Sequence, residues 1–401
     1  MNRMSDPIQR DHRLLTEIRL DNLLSFGLGS ASLPLESLNV LIGPNGSGKS
    51  NLLEAIALLR SSTTDWRPVI SRGGGVGEWI WQGQPDEPAS VEAVFANPRG
   101  SEPLRHTIAF RKEQQVFQLV DERIEYERRT DGDGKAVFGY CYRNGRPVVT
   151  SPLSKARVHE AKVELTDRTL SVLKQHVTAN VPGRQTLAND YDRIRLYREW
   201  AFGHKNTPLR DPQRADLRTD RLEEDFSNLG LFLKRIGRSP KTKEALLSGL
   251  RSLYEGLTDF DVSIEGGTVQ VFFNEGEFVI PAPRLSDGSV RYLCLLAILC
   301  DPEPPPLICI EEPELGLHPD VLPKLADHLA AASERTQLIV TTHSDILVDA
   351  MTDRPEVVVV CENHEGSTHM RRLSRDDLAA WLEKYRLGQL WIKGQLGGTR
   401  W

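Results

Sequence analysis

Residues 38–60 read LNVLIGPNGSGKSNLLEAIALLR, and the fold follows from how this stretch divides. An apolar run ends at Ile42, a glycine-rich loop follows, and an amphipathic segment begins at Asn51, the order of strand, loop and helix. Gly43–Ser50 fits G-x-x-x-x-G-K-S, with the required strand before it and helix after it. In such a loop the glycines let backbone N–H groups converge on phosphate oxygens, Lys49 brings a point charge to the β- and γ-phosphates, and the Ser50 hydroxyl can ligate Mg²⁺. The dipole of the following helix favours the same anion. The expectation is an α/β P-loop NTPase in which Gly43, Asn45, Gly46, Ser47, Gly48, Lys49, Ser50 and Asn51 surround a nucleotide, with ATP and Mg²⁺ as cofactors.

A site of that kind needs, at the end of a neighbouring strand, one carboxylate for the Mg²⁺ shell and a second to polarise the attacking water. Residues 307–319, LICIEEPELGLHP, end an apolar run on Glu311 and Glu312. Glu311 is expected beside the metal and Glu312 as the catalytic base. The metal position is commonly aspartate, and a glutamate is one methylene longer, which predicts slow turnover. Further on, QLIVTTHSDIL closes a β-like run near His343, where a residue can contact the γ-phosphate and the water. In RLSDGSVRYLCLLAIL, residues 284–299, a turn with Ser286 and Gly288 precedes an apolar helix, which alone would be an ordinary N-cap. His318 fits either helix capping or a loop contact between two copies.

Composition narrows the class. Fifty Lys and Arg stand against 56 Asp and Glu, a net charge of −6, so no global basic field announces a nucleic-acid partner. Five scattered cysteines, with no CxxC, indicate neither a disulfide framework nor a zinc site and fit a reducing cytoplasm. The polar N-terminus lacks the apolar core of a signal peptide, and the longest apolar stretch, LCLLAILC at 293–300, is too short to span a bilayer. No membrane partner and a cytoplasmic location are expected.

Along the chain, residues 1–153 read as an N-terminal lobe carrying the phosphate loop and antiparallel hairpins such as SVEAVF, RHTIAF, QQVFQLV and AVFGYCY. Residues 154–255 carry helical spacing and high charge and read as a helical insertion. Residues 256–401 return to strand and helix alternation. Alternation at both ends predicts one mixed, mostly parallel sheet assembled from two distant segments.

The order GPNGSGKS, LSDGS, ICIEEPELGLHP, TTHS resembles that of the ABC-type ATPase heads of the RecF, SMC and OLD-like family. The resemblance implies a P-loop head fold in which Lys49 and Ser50 hold phosphate and Mg²⁺, Glu311 supports the metal, Glu312 activates water and His343 senses the γ-phosphate. It also implies that LSDGS is the signature motif, Ser286 and Gly288 reaching ATP held by the other protomer of a homodimer, and that ELGLHP joins the two active sites. Two features depart from the family. Its glutamine-bearing loop is not recognisable, Gln82 in WIWQG being the candidate, and 154–255 is too short for an SMC coiled-coil arm. Only residues 345–401 follow TTHS, too few for the TOPRIM domain of OLD-type nucleases, so any nuclease is expected in a separate TOPRIM-like effector protein. The function so implied is an ATPase whose head dimerisation gates DNA or an effector nuclease in antiphage defence. A RecF-type DNA-repair ATPase and a non-hydrolysing scaffold are the alternatives.

Two segments bear on partners. In LFLKRIGRSPKTKEALLSGLR, Lys234, Arg235, Arg238, Lys241, Lys243 and Arg251 face only Glu244 in sequence, a candidate patch for a double-stranded DNA backbone. The tail WLEKYRLGQLWIKGQLGGTRW, from Trp381, concentrates aromatic and aliphatic residues. It fits packing on its own head, or an exposed docking surface for another protein.

Overall fold

A computed structural model describes residues 12–96, 102–130, 136–143, 146–151, 159–162, 167, 169–175, 181, 183–198, 200, 202 and 207–398. In chain order the elements begin β1 (Leu15–Asp21), β2 (Leu33–Pro34), β3 (Leu38–Ile42), α1 (Lys49–Ser61), α2 (Arg67–Arg72), α3 (Val76–Trp79), β4 (Ala89–Phe95), β5 (Leu104–Glu113), β6 (Val116–Thr130), β7 (Ala136–Arg143), β8 (Arg146–Ser151) and β9 (His159–Lys162). There follow α4 (Arg184–Asp192), β10 (Arg195–Tyr197), β11 (Gln213–Arg214), α5 (Leu229–Ile236), α6 (Pro240–Leu250), β12 (Leu257–Glu265), β13 (Thr268–Glu275), β14 (Phe278–Pro281), α7 (Asp287–Leu299) and β15 (Leu307–Glu311). The last are α8 (Leu322–Ser333), β16 (Gln337–Thr341), α9 (Asp345–Asp349), β17 (Val358–His364), β18 (Ser367–Arg372), α10 (Arg375–Leu382) and α11 (Leu387–Ile392).

The chain forms two compact units, one from the chain up to Ser37 and Ala55–Arg193, the other from Leu38–Glu54 and Ile194 onward. The first holds an antiparallel sheet of order β2-β1-β4-β5-β6-β7-β8-β9. In β4, ASVEAVF, alternate residues Ala89, Val91 and Ala93 are buried, the period of a strand with one face on a core. Deep in this unit the His106 ring lies 2.8 Å from the Tyr191 hydroxyl and 3.3 Å from Glu122. Glu122 also accepts from the Ser171 hydroxyl and from the Val172 N–H at 2.9 Å, so this buried carboxylate is satisfied on both oxygens.

The second unit carries the sheet predicted from two distant segments, of order β10-β15-β16-β3-β17-β18. Only the β17–β18 pair is antiparallel. Every residue of β3 and of β16 is buried, as a parallel strand covered on both faces requires. Helix α7 is buried from Ser289 to Leu299, the signature of an apolar helix inside a core rather than on a surface. A second sheet of order β11-β13-β12, with β14 also on β13, belongs to this unit.

Two sequence expectations change. The first part of the 154–255 stretch read as helical lies largely outside the described residues, and where it is described His159–Lys162 is a strand paired with β8. The pattern in YDRIRLYREWAF gives helix only to Asp192, after which Arg195–Tyr197 forms β10, parallel to β15 with Tyr197 opposite Ile310. Flanking charge hid a three-residue strand whose residues are all buried. The tail packs on its own unit: α11 lies against α9, and Leu387, Leu390, Trp391 and Leu396 join the core, while Trp381 stays 45% exposed.

Candidate nucleotide site

Strands β15, β16 and β3 are parallel neighbours, so their C-terminal ends, at Glu311, Thr341 and Ile42, open along one edge of the sheet. In open α/β sheets that edge is where ligands bind. Apart from Gln82 and its partner, the residues below lie in the second unit, where 43–48 forms the loop between β3 and α1.

Gly43 is the one residue type that fits its position, since an added Cβ would fall 2.3 Å from the Cys361 carbonyl oxygen, and its φ is +151. Lys49 is buried and its ammonium donates back to the carbonyls of Gly43 at 2.8 Å and Pro44 at 2.9 Å. Burial pulls its pKa down, opposed by Cys361 and by Glu312, Glu311 and Glu314. Among the described residues the Ser47 hydroxyl is buried with no hydrogen-bond partner, and a Cβ on Gly46 would meet nothing within 4 Å, so the loop mouth is open beside an unused donor. A cation folded onto carbonyls, an orphan hydroxyl and an open glycine turn fit a triphosphate.

Across the loop, the Ser50 hydroxyl donates to Glu311, a hydroxyl and a carboxylate being the hard oxygen donors that suit Mg²⁺. The other Glu311 oxygen takes Arg198 Nε at 2.9 Å, and Arg198 also holds Glu54 of α1 at 2.7 Å. The Trp200 indole N–H donates to the Glu311 carbonyl at 2.7 Å. Glu312 follows in the left-handed region, φ +46, an outlier for glutamate of the kind that collects at functional sites. Its carboxylate is 3.4 Å from His343 Nε2. Burial, then Glu314 and Glu311, lift its pKa above the ordinary carboxylate range, against Lys49 and Arg291. Glu314 sets the histidine's backbone: it accepts from the Thr342 hydroxyl at 2.7 Å and the His343 N–H at 2.6 Å.

The Ser286–Gly288 turn sits on the same constellation. Ser286 caps α7, its hydroxyl accepting the Ser289 N–H at 3.2 Å. A Cβ on Gly288 would lie 2.8 Å from the Gly316 carbonyl oxygen, so the turn rests on the ELGLHP loop. From the next turn of α7, Arg291 donates to the Glu312 carbonyl at 3.2 Å and stacks 4.6 Å over Trp200. Burial draws its guanidinium pKa down to about 10.

The structure therefore brings Lys49, Ser50, Glu311, Glu312 and His343 together, with Asn45 and Gly46 exposed at the mouth of the loop, Asn51 half-buried and Gly48 buried behind it. His318 caps a short 3₁₀ turn through Nδ1, which accepts from the Asp320 N–H at 3.3 Å. Gln82 lies in the other unit and donates to the Gly77 carbonyl at 3.0 Å. Arg198, Trp200, Arg291 and Glu314 went unassigned in the sequence. Glu314, within the quoted EEPELG, and Arg291, within the quoted RLSDGSVRYLCLLAIL, stood close to readable motifs.

The fold is that of an SMC head. A crystal structure of an SmcHead bound to the C-terminal winged-helix domain of ScpA superposes at a TM-score of 0.56 and 16% identity, covering 92% of this chain and 99% of that one. A Smc head with an extended coiled coil from Pyrococcus furiosus, bound to the C-terminal domain of ScpA, gives 0.54 at 15% identity, with the same 92% and 99% coverage. The chain belongs to the family described as "AAA domain, putative AbiEii toxin, Type IV TA system", whose profile matches residues 38–349.

In sequence it is 38% identical over 81 residues, 20% of this chain, to the chromosome partition protein Smc of Cereibacter sphaeroides. It is 25% identical over 337 residues, 80% of this chain, to the uncharacterized protein YbjD of Escherichia coli. These alignments span 7% and 57% of the two relatives' lengths. Among the described residues no helix is long and apolar enough to cross a membrane.

Proposed function

We propose that the chain binds and hydrolyses ATP, and that ATP-dependent pairing of two such heads gates DNA or a separate effector protein. The observation that carries the reading is the convergence of Lys49, Ser50, Glu311, Glu312 and His343 at the ends of three parallel strands. Lys49 would leave the carbonyls of Gly43 and Pro44 for the β- and γ-phosphate oxygens, and Asn45, Gly46, Ser47, Gly48 and Asn51 would line the same nucleotide. Mg²⁺, held by Ser50 and Glu311, would offset phosphate charge as the β–γ bond breaks. Glu312, raised in basicity by its surroundings and held in register by its φ and by Arg291, takes the proton of the attacking water. His343, at Glu312's side, orients that water and reads the γ-phosphate.

Pairing of heads is supported by the resting of Gly288 on the Gly316 carbonyl, which ties the signature turn to the loop that follows the base. Contacts from Ser286 and Gly288 made only to γ-phosphate on the opposite head would favour the closed pair while ATP lasts. The solved SmcHead bound to a ScpA domain supports a protein partner for this head too, and the toxin in the family description supports a setting in defence. Solution mass by light scattering tests the pairing. The Glu312→Gln variant should be monomeric without nucleotide and dimeric with ATP, and Ser286→Arg should abolish that dimer. A mass indifferent to ATP in Glu312→Gln contradicts the proposal.

A further inference from the structure

The tail segment returns to the phosphate loop. Trp391, 3% exposed on α11, donates its indole N–H to the Gly398 carbonyl at 3.0 Å. The Gly398 N–H donates to Glu362 Oε1 of β17 at 2.9 Å, and Arg371 of β18 donates to the Leu396 carbonyl at 3.0 Å. These three bonds hold residues 396–398 so that a Cβ on Gly398 would stand 3.4 Å from Gly43 Cα and 3.1 Å from Val360 Cγ1. Gly43, already against the Cys361 carbonyl of β17, thus has Gly398 close beside it as well. Both tail glycines have positive φ, +80 at Gly397 and +58 at Gly398, and a Cβ on Gly397 would lie 2.7 Å from Glu362. Close approach and backbone conformation together demand glycine at both.

We propose that Gly394–Gly398 is a strap that positions the phosphate loop: its docking on Gly43 holds the loop in the form that receives the nucleotide's phosphates. Gly398 and Trp391 are positioning residues, acting through Gly43. The inference rests on the reading of 43–50 as the nucleotide site and adds a control on its affinity. Coupling between two equilibria is reciprocal, so bound nucleotide must hold the strap down by the factor by which the docked strap favours nucleotide.

The test uses the full chain and ATP itself. Gly398→Val crowds Gly43 and Val360, while Trp391→Phe keeps an aromatic ring in the core and removes the N–H that holds Gly398 together with part of the indole's volume. Each should raise the ATP concentration for half-saturation by about 10-fold, an ordinary size for coupled sites, and leave turnover at saturation near wild type. Loss of folded protein alone would instead lower turnover and leave half-saturation unmoved. In the wild-type chain, ATP should slow amide hydrogen exchange across 394–398, and in Lys49→Ala it should not. Unchanged half-saturation in both variants, or exchange across 394–398 indifferent to ATP in a chain that binds it, overturns the strap. Failure of the wild-type chain to bind ATP overturns the nucleotide site and the strap together.

Discussion

Glu311 shows at the scale of one side chain why a motif reports less than a site. Its position was readable, because an apolar run that ends in two carboxylates has few other uses. Its partners were not, since Arg198 reaches it from 113 residues away, only because β10 pairs with β15. One Glu311 oxygen faces Ser50 and the other Arg198, so the side chain is shared between the Ser50 hydroxyl and a cation tied to α1 through Glu54. Gly288 was expected as a signature residue by resemblance, and the reason a side chain is excluded there, the Gly316 carbonyl, appears only in three dimensions. Gly288→Ala should lower stability by about 1–3 kcal/mol in chemical denaturation, because the obstacle is backbone and cannot rotate away. A loss below about 0.5 kcal/mol, the scatter of a neutral surface change, would show that the turn does not rest on that loop.

Helix α6 and its surroundings mark what changes at the scale of an element. The sequence showed six cations facing a single glutamate, because acids brought in by other elements are invisible to local charge counting. In the fold, Arg235 pairs with Asp301 at 2.9 Å, Lys243 with Asp259 at 2.6 Å and Arg251 with Glu244 at 2.5 Å. Lys234, Arg238 and Lys241 are the exposed cations of the stretch, and a DNA-backbone contact here rests on them. Arg238→Glu combined with Lys241→Glu should weaken duplex DNA binding and lower the salt slope by about 1 for each residue changed. Equal affinity at two salt concentrations for variant and wild type would remove DNA from this face. The same scale separates the strands that were legible from the one that was not. β3, β15 and β16 are five-residue strands, each largely apolar, whereas β10 is three residues long between charged neighbours and owes its existence to the sheet edge it joins.

For the whole molecule, a sheet joining β3 to β15, β16 and β17 was foreseen from strand and helix alternation at both ends of the chain, whereas residues 154–255, expected as a helical insertion, also supply β10 to that sheet. Burial across both units also sets an alkaline limit on stability. Tyr140, Tyr191 and Tyr197 are buried, and burial lifts each phenol well above its ordinary pKa. Above about pH 10 the unfolded chain releases phenolic protons that the native chain keeps, so stability falls as pH rises, by about 1.4 kcal/mol per pH unit for each such tyrosine. Chemical denaturation between pH 9.5 and 11 should show that decline, shallower in Tyr191→Phe, and an identical slope in the variant would contradict the buried phenol. The central claim, that the strand ends and the phosphate loop form one ATP-hydrolysing centre, meets its most direct test in steady-state ATP turnover by the purified chain beside Glu312→Gln. The account predicts slow but measurable wild-type turnover, about 10²–10⁴-fold lower in Glu312→Gln, with ATP affinity retained in both. Equal turnover in the two proteins would contradict it.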